Sequence, residues 1–83
     1  MWQVLISQDV DKFLMKQDKN ISERLLKGIQ KLKVENPFIY LEHYEGNDYY
    51  KYRIGEYRCL IDVSFEEKVL FVRVLDHRSR VYK

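Results

Sequence analysis

Lys51, Arg53, Arg58, Arg78 and Arg80 lie in the second half of this chain, interleaved with tyrosines. The stretch YYKYRIGEYRCLIDV (Tyr49 to Val63) holds the first three, and HRSRVYK (His77 to Lys83) holds the others. Guanidinium groups grip phosphate in a planar fork, and aromatic rings stack on unpaired bases. That combination makes RNA the first partner to consider. Other chemistries find less support. His43 and His77 are far apart in sequence and Cys59 is the single cysteine, so neither a metal site nor a cofactor is expected. There is no glycine-rich phosphate loop and no Ser/His/Asp arrangement. His43 falls in a long connection with no catalytic part assigned. For His77 a hydrogen-bonding role at a strand end is favoured over an acid–base one, which stays open because imidazole titrates near neutrality.

The elements that must carry these side chains follow from hydrophobic period. Trp2 to Ile6 reads as a short strand. Ser7 and Asp9 are both capping types for a helix over Val10 to Lys16, with Val10, Phe13 and Leu14 on one face. After the polar turn Gln17 to Asn20, a second helix capped by Asn20 or Ser22 runs to about Val34, with the stripe Ile21, Leu25, Leu26, Ile29 and Leu32. Asn36-Pro37 ends it. A longer connection, Phe38 to Asp48, precedes three strands. In the first, Tyr50, Tyr52 and Ile54 share one face and Tyr49, Lys51 and Arg53 the other. Gly55-Glu56 makes the hairpin turn. In the second, Tyr57, Cys59, Ile61 and Val63 are apolar, opposite Arg58, Leu60 and Asp62. The third, Val69 to Leu75, is apolar apart from Arg73 and reads as a strand inside the sheet. The expected fold is α+β, in the order β-α-α-β-β-β, with a helical hairpin packed on one face of a small antiparallel sheet. Lys51, Arg53 and Arg58 then share the uncovered face.

At 83 residues the chain is expected to be a single domain, 1–83, with a modest core. The net charge of +2 is uneven: residues 1–48 carry seven Lys/Arg against eight Asp/Glu, and residues 49–83 eight against five. So small an excess is a weak field, and affinity for a polyanion must come from focused contacts. A lone cysteine in an apolar strand reads as an inert buried thiol and fits a reducing compartment. No apolar run approaches the roughly 20 residues of a membrane span. The opening Met1 to Ile6 is too short and uncharged for a secretory signal. A cytoplasmic protein is expected.

The order of elements, with YYKYRIGEYRCLIDV as hairpin and VLFVRVLDHRSRVYK as closing strand and tail, resembles the RelE/ParE toxin superfamily, particularly RelE-type toxins. The resemblance covers nearly the whole chain. It implies a toxin of a type II toxin–antitoxin system: a metal-independent endoribonuclease acting on mRNA in the ribosomal A site and held in check by a cognate antitoxin in a hetero-oligomer. It also admits a ParE-like DNA gyrase inhibitor, or a decayed toxin that only binds antitoxin. Two positions depart from the family pattern. Asp76 stands where glycine is frequent, and Glu45 stands where a lysine is common.

What the resemblance implies for the site residues follows RNA cleavage without metal. The 2′-hydroxyl attacks the adjacent phosphorus and the 5′-oxygen leaves, giving a 2′,3′-cyclic phosphate or its hydrolysed form and a 5′-hydroxyl. That reaction needs a base, cations for the developing phosphorane charge, and an acid for the leaving oxygen. Lys51 and Arg53 match the basic residues of the first hairpin strand, with Lys51 as base or its electrostatic substitute. Arg58 is placed to stabilise the pentavalent phosphate, Arg78 to clamp it or serve the leaving group, and Tyr82 to stack on or orient a nucleotide.

Overall fold

The computed structural model describes residues 1–81. The chain runs β1 (Gln3–Ile6), α1 (Gln8–Met15), α2 (Lys19–Gln30), a 3-10 turn (Pro37–Ile39), β2 (Glu42–His43), β3 (Tyr50–Ile54), β4 (Tyr57–Ser64), β5 (Val69–His77) and α3 (Arg78–Val81). The α+β layering expected from the sequence is present: α1 and α2 bury Val10, Leu14, Leu25 and Ile29 against one face of the sheet. No described helix is long and apolar enough to cross a membrane.

Ser7 sets the start of α1. Its hydroxyl accepts from the Val10 amide at 3.1 Å and donates to the Arg73 carbonyl at 2.8 Å, tying the helix cap to β5. The second helix ends sooner than its apolar stripe suggests. Past Gln30 the chain tightens, Leu32 turns fully into the core, and the Val34 carbonyl accepts from the Trp2 amide at 3.2 Å instead of from a helical partner. Asn36 then accepts from the Phe38 amide at 3.3 Å and opens the 3-10 turn, with Pro37 in its first positions.

Gly28 brings α2 close to β3. A Cβ there would stand 2.9 Å from side-chain atoms of Ile54. The Tyr52 hydroxyl donates to the Gly28 carbonyl at 2.6 Å, so strand and helix are bonded as well as packed.

The sheet has five strands in the order β1-β5-β4-β3-β2. Two features correct the expected antiparallel sheet. First, β1 lies parallel beside β5, with Leu5 opposite Phe71, so the sheet is mixed. The long connection that parallel neighbours need is here both helices together with β2, β3 and β4. Second, the long connection contains β2, where Glu42 faces Lys51 and His43 faces Tyr50. Two residues carry no alternation, so pattern could not reveal them.

The hairpin falls as expected, with Ile54 opposite Tyr57 and Gly55 at φ +59 in the turn. Between β4 and β5 the register steps: Leu60 faces Val74 and Ile61 faces Val72, leaving Arg73 as the extra residue of a bulge. The step lets Leu70, Val72 and Leu75 all reach the core. At the far end Trp2, Phe38 and Phe65 pack together, Trp2 edge-on to Phe38 at 5.1 Å and Phe38 stacked on Phe65 at 5.4 Å.

Candidate functional site

The uncovered sheet face is built from alternate residues of β3, β4 and β5. Tyr50, Tyr52 and Ile54 point to the helices, which leaves Lys51 and Arg53 outside. Arg53 sits directly opposite Arg58, and Arg58 in turn faces Asp76. Lys51 faces Leu60 one row away. The strand periods therefore bring Lys51, Arg53 and Arg58 onto one surface, at the end of the sheet where the β3–β4 turn lies.

Two arginines opposite one another repel. Arg58 folds back on its own hairpin: Nη1 donates to the carbonyls of Gly55 at 2.7 Å and Tyr57 at 2.9 Å. Arg53 is exposed, with no described carboxylate within ion-pair reach. Lys51 pairs with Glu42 at 3.4 Å and lies 5.1 Å from the centre of the Tyr44 ring. Lys51 and Arg53 also line a cleft of about 350 Å³ that opens at the β3 edge beyond β2, together with Lys31, Ile39 and Tyr40.

Arg78 begins α3 and reaches the same end of the sheet by a different route. Its amide donates to the Glu56 carbonyl at 2.8 Å, and its guanidinium lies 3.9 Å from the Glu56 carboxylate. Glu56 also meets His77 Nε2 at 3.5 Å, and the His77 ring stands edge-on to Tyr57 at 5.7 Å. The Ser79 amide donates to His77 Nδ1 at 3.3 Å, and the Ser79 hydroxyl lies 3.0 Å from the same nitrogen. Arg80 pairs with Asp76 at 3.9 Å. Asp76 thus serves as counter-charge to the tail, and its carboxylate also accepts from the His77 amide at 2.7 Å. Tyr82 lies outside the described residues.

Four of the five expected site residues, Lys51, Arg53, Arg58 and Arg78, are gathered at this end by three separate segments. Glu56 and Asp62 are the carboxylates that sequence proximity offers to these cations, and both are ion-paired here, to Arg78 and Arg73. Glu42 was missed, because a two-residue strand carries no periodicity from which its pairing with Lys51 could be read. A different polar cluster, Tyr49, Asp62 and Arg73, did leave a trace: Arg73 is the one charge in the apolar run Val69 to Leu75. The thiol of Cys59 is fully buried, and burial pushes it up to about 12, which removes it from any nucleophilic role at neutral pH.

Comparison with known proteins follows the same lines. Residues 4–82 match the family described as the ParE toxin of the type II toxin–antitoxin system, parDE. No curated protein matches significantly. Among solved structures, the chain is similar to the archaeal RelE–RelB complex from Pyrococcus horikoshii, at 28% identity and TM-score 0.74, over 96% of this chain and 98% of that one. It shares its fold with the toxin–antitoxin complex RelBE2 from Mycobacterium tuberculosis, at 20% identity and TM-score 0.79, over 93% of this chain and 98% of that one. The same holds for the intact E. coli RelBE complex, at 19% identity and TM-score 0.73, over 93% and 96%. With a family match along almost its whole length and a fold that agrees, the chain belongs to the ParE toxin family of type II toxin–antitoxin systems, within the RelE/ParE superfamily.

Proposed function

We propose that this toxin is a metal-independent endoribonuclease that cuts mRNA held in the ribosomal A site, in the cytoplasm, by 2′-hydroxyl attack on the scissile phosphate. The observation that carries the reading is that Lys51, Arg53 and Arg58 share the uncovered sheet face, with Arg78 held beside the hairpin turn at the same end of the sheet. Arg58 supports a role in holding the phosphorane: Nη1 is engaged by two carbonyls, which fixes the head and leaves Nε and Nη2 as a fork for phosphate oxygens. Lys51, paired with Glu42, acts as electrostatic substitute for a base, offering charge to the phosphate. Arg78, carried on the turn bonded to Glu56, clamps the phosphate from the other side. Tyr82 stacks on or orients a nucleotide.

The local carboxylates favour a ribosome-bound substrate. Glu42, Glu56 and Asp76 each sit on a cation of this end, so RNA must displace carboxylates to gain phosphate contacts. The ribosome holds the message and lowers the ordering cost of that exchange. A cognate antitoxin is the expected partner, supported by the relative at 28% identity being a RelE–RelB complex. The second reading, inhibition of DNA gyrase without chemistry, is favoured by the family's description as ParE. Induction of the protein followed by mapping of mRNA ends and gyrase-linked DNA breaks in the same cells separates the two. In-frame cuts within translated messages are expected. DNA breaks with intact messages would move the assignment to gyrase, and neither, with normal growth, would leave only an antitoxin-binding role.

A further inference from the structure

On the uncovered face, one row past Lys51 from the Arg53–Arg58 pair, two strands and the residue just ahead of a third contribute to a second polar cluster. The bulge in β5 turns Arg73 outward beside Asp62 of β4, with Nε 3.0 Å from the carboxylate. From there Arg73 reaches over β4 to Tyr49, just ahead of β3. Nη1 donates to the phenol oxygen at 2.7 Å, and the guanidinium carbon lies 5.2 Å from the ring centre. An arginine fixed by an ion pair, a hydrogen bond and a ring contact is held more firmly than a typical surface cation. These residues line a cavity of about 510 Å³ whose far wall is His43 and the turn that carries Asp48. That volume is in the range of small-molecule sites.

The charges of the lining decide what fits. Two carboxylates, Asp48 and Asp62, oppose one guanidinium that Asp62 already neutralises. A phosphate would meet a net negative wall. A neutral planar group that donates hydrogen bonds would not. Tyr49 offers a ring for stacking, and the carboxylates offer acceptors. Bases with an exocyclic amine present a two-proton donor at the ring edge, whereas uracil has no such amine and offers only its N3–H. Residues two apart on a strand stand about 7 Å from one another. Tyr49, Lys51 and Arg53 therefore form a ladder on which an extended RNA strand advances by about one nucleotide per rung.

We propose that this cavity is a nucleobase subsite for an amino-bearing base, adjoining the cationic end, and that Tyr49, Asp62 and Arg73 set the sequence context of cutting. Its place in the reaction rests on the ribonuclease reading; the binding of a base does not. Two measurements keep them apart. In the first, the isotope-labelled full chain is titrated with AMP, CMP, GMP, UMP and inorganic phosphate while amide shifts at Tyr49, Asp62 and Arg73 are followed. Amino-bearing nucleotides are expected to move these signals, with UMP at least tenfold weaker and phosphate without effect. Asp62→Asn is expected to remove the discrimination, and Tyr49→Leu to weaken all four nucleotides about tenfold. In the second, cut sites are mapped in a translation extract for wild type, Asp62→Asn and Tyr49→Leu, each first shown to be folded by circular dichroism. A shifted base preference beside the cut is expected. Signals that fail to move, or that move equally with phosphate, overturn the subsite. Unchanged cut contexts in both folded variants overturn its role in specificity. Nucleotide binding at these residues without any cutting by wild type upholds the subsite and overturns the ribonuclease reading.

Discussion

Arg58 is bound to the protein through main-chain carbonyls, whereas Lys51, Arg78 and Arg80 are bound through exchangeable carboxylates. Its position is therefore set before any substrate arrives. Arg58→Ala removes two hydrogen bonds on a partly exposed side chain, at a cost of about 0.5–1.5 kcal/mol each. The variant is expected to stay folded by circular dichroism and lose toxicity on induction; full toxicity in a folded variant would remove Arg58 from the site. Arg58→Lys, which keeps the charge without the fork, is expected to recover only part of the effect. A second prediction concerns Cys59. Its thiol ionises at about 9.0 when exposed and at about 12 in the fold, because burial disfavours the thiolate. Below 9 the group is neutral in both states and contributes no pH dependence. Between 9 and 12 the unfolded chain gives up a proton that the folded chain keeps, so stability falls as pH rises, by about 1.4 kcal/mol per unit. Urea unfolding of wild type and Cys59→Ala across that range is expected to converge toward high pH. Parallel curves would mean that the thiol is accessible.

At the scale of elements, the contact between α2 and β3 carries the positioning of Lys51 and Arg53, since both lie on the strand that Gly28 and Tyr52 fix to the helix. Gly28→Ala places a methyl 2.9 Å from Ile54 atoms. It is expected to destabilise by about 1–3 kcal/mol despite alanine's better helix propensity. Ile54→Ala makes room, so the double variant is expected to be less destabilised than the two single costs added; simple additivity in denaturant melts would place the strain elsewhere. How much of this was legible depends on the element. The helices announced themselves through stripes such as Leu25, Ile29 and Leu32, and β3 and β4 through alternation ending at Gly55. The partner of β1 could not be read, because parallel pairing with β5 is decided by the crossover and leaves no turn signature. Nor could the bulge at Arg73, since a single added residue is visible only against the opposite strand. In the site, strand period was enough to unite Lys51, Arg53 and Arg58. The bond between Arg78 and Glu56 joins segments without any repeat, and only the fold brings them together.

At the scale of the whole molecule, the candidate site holds few cations and two of its four, Lys51 and Arg78, are already matched by carboxylates, so RNA affinity is expected to depend only gently on salt. Each phosphate neutralised on a single strand contributes a slope of about −0.7 in log affinity against log salt. With Lys51, Arg53, Arg58 and Arg78 as the contacts, the expected slope lies between about −1 and −3. Fluorescence anisotropy with a short oligoribonucleotide at several salt concentrations measures it, and a value steeper than about −5 would require cations from outside this end of the sheet. The placement of β1 bears on the life of the toxin in the cell. Its first strand has no sheet neighbour except β5, and the Ser7 hydroxyl is bonded to a carbonyl 66 positions later. During synthesis the opening segment must therefore wait, unpaired, until β5 has left the ribosome. The interval before β1 closes onto β5 is when a chaperoning inhibitor would find that sheet edge bare.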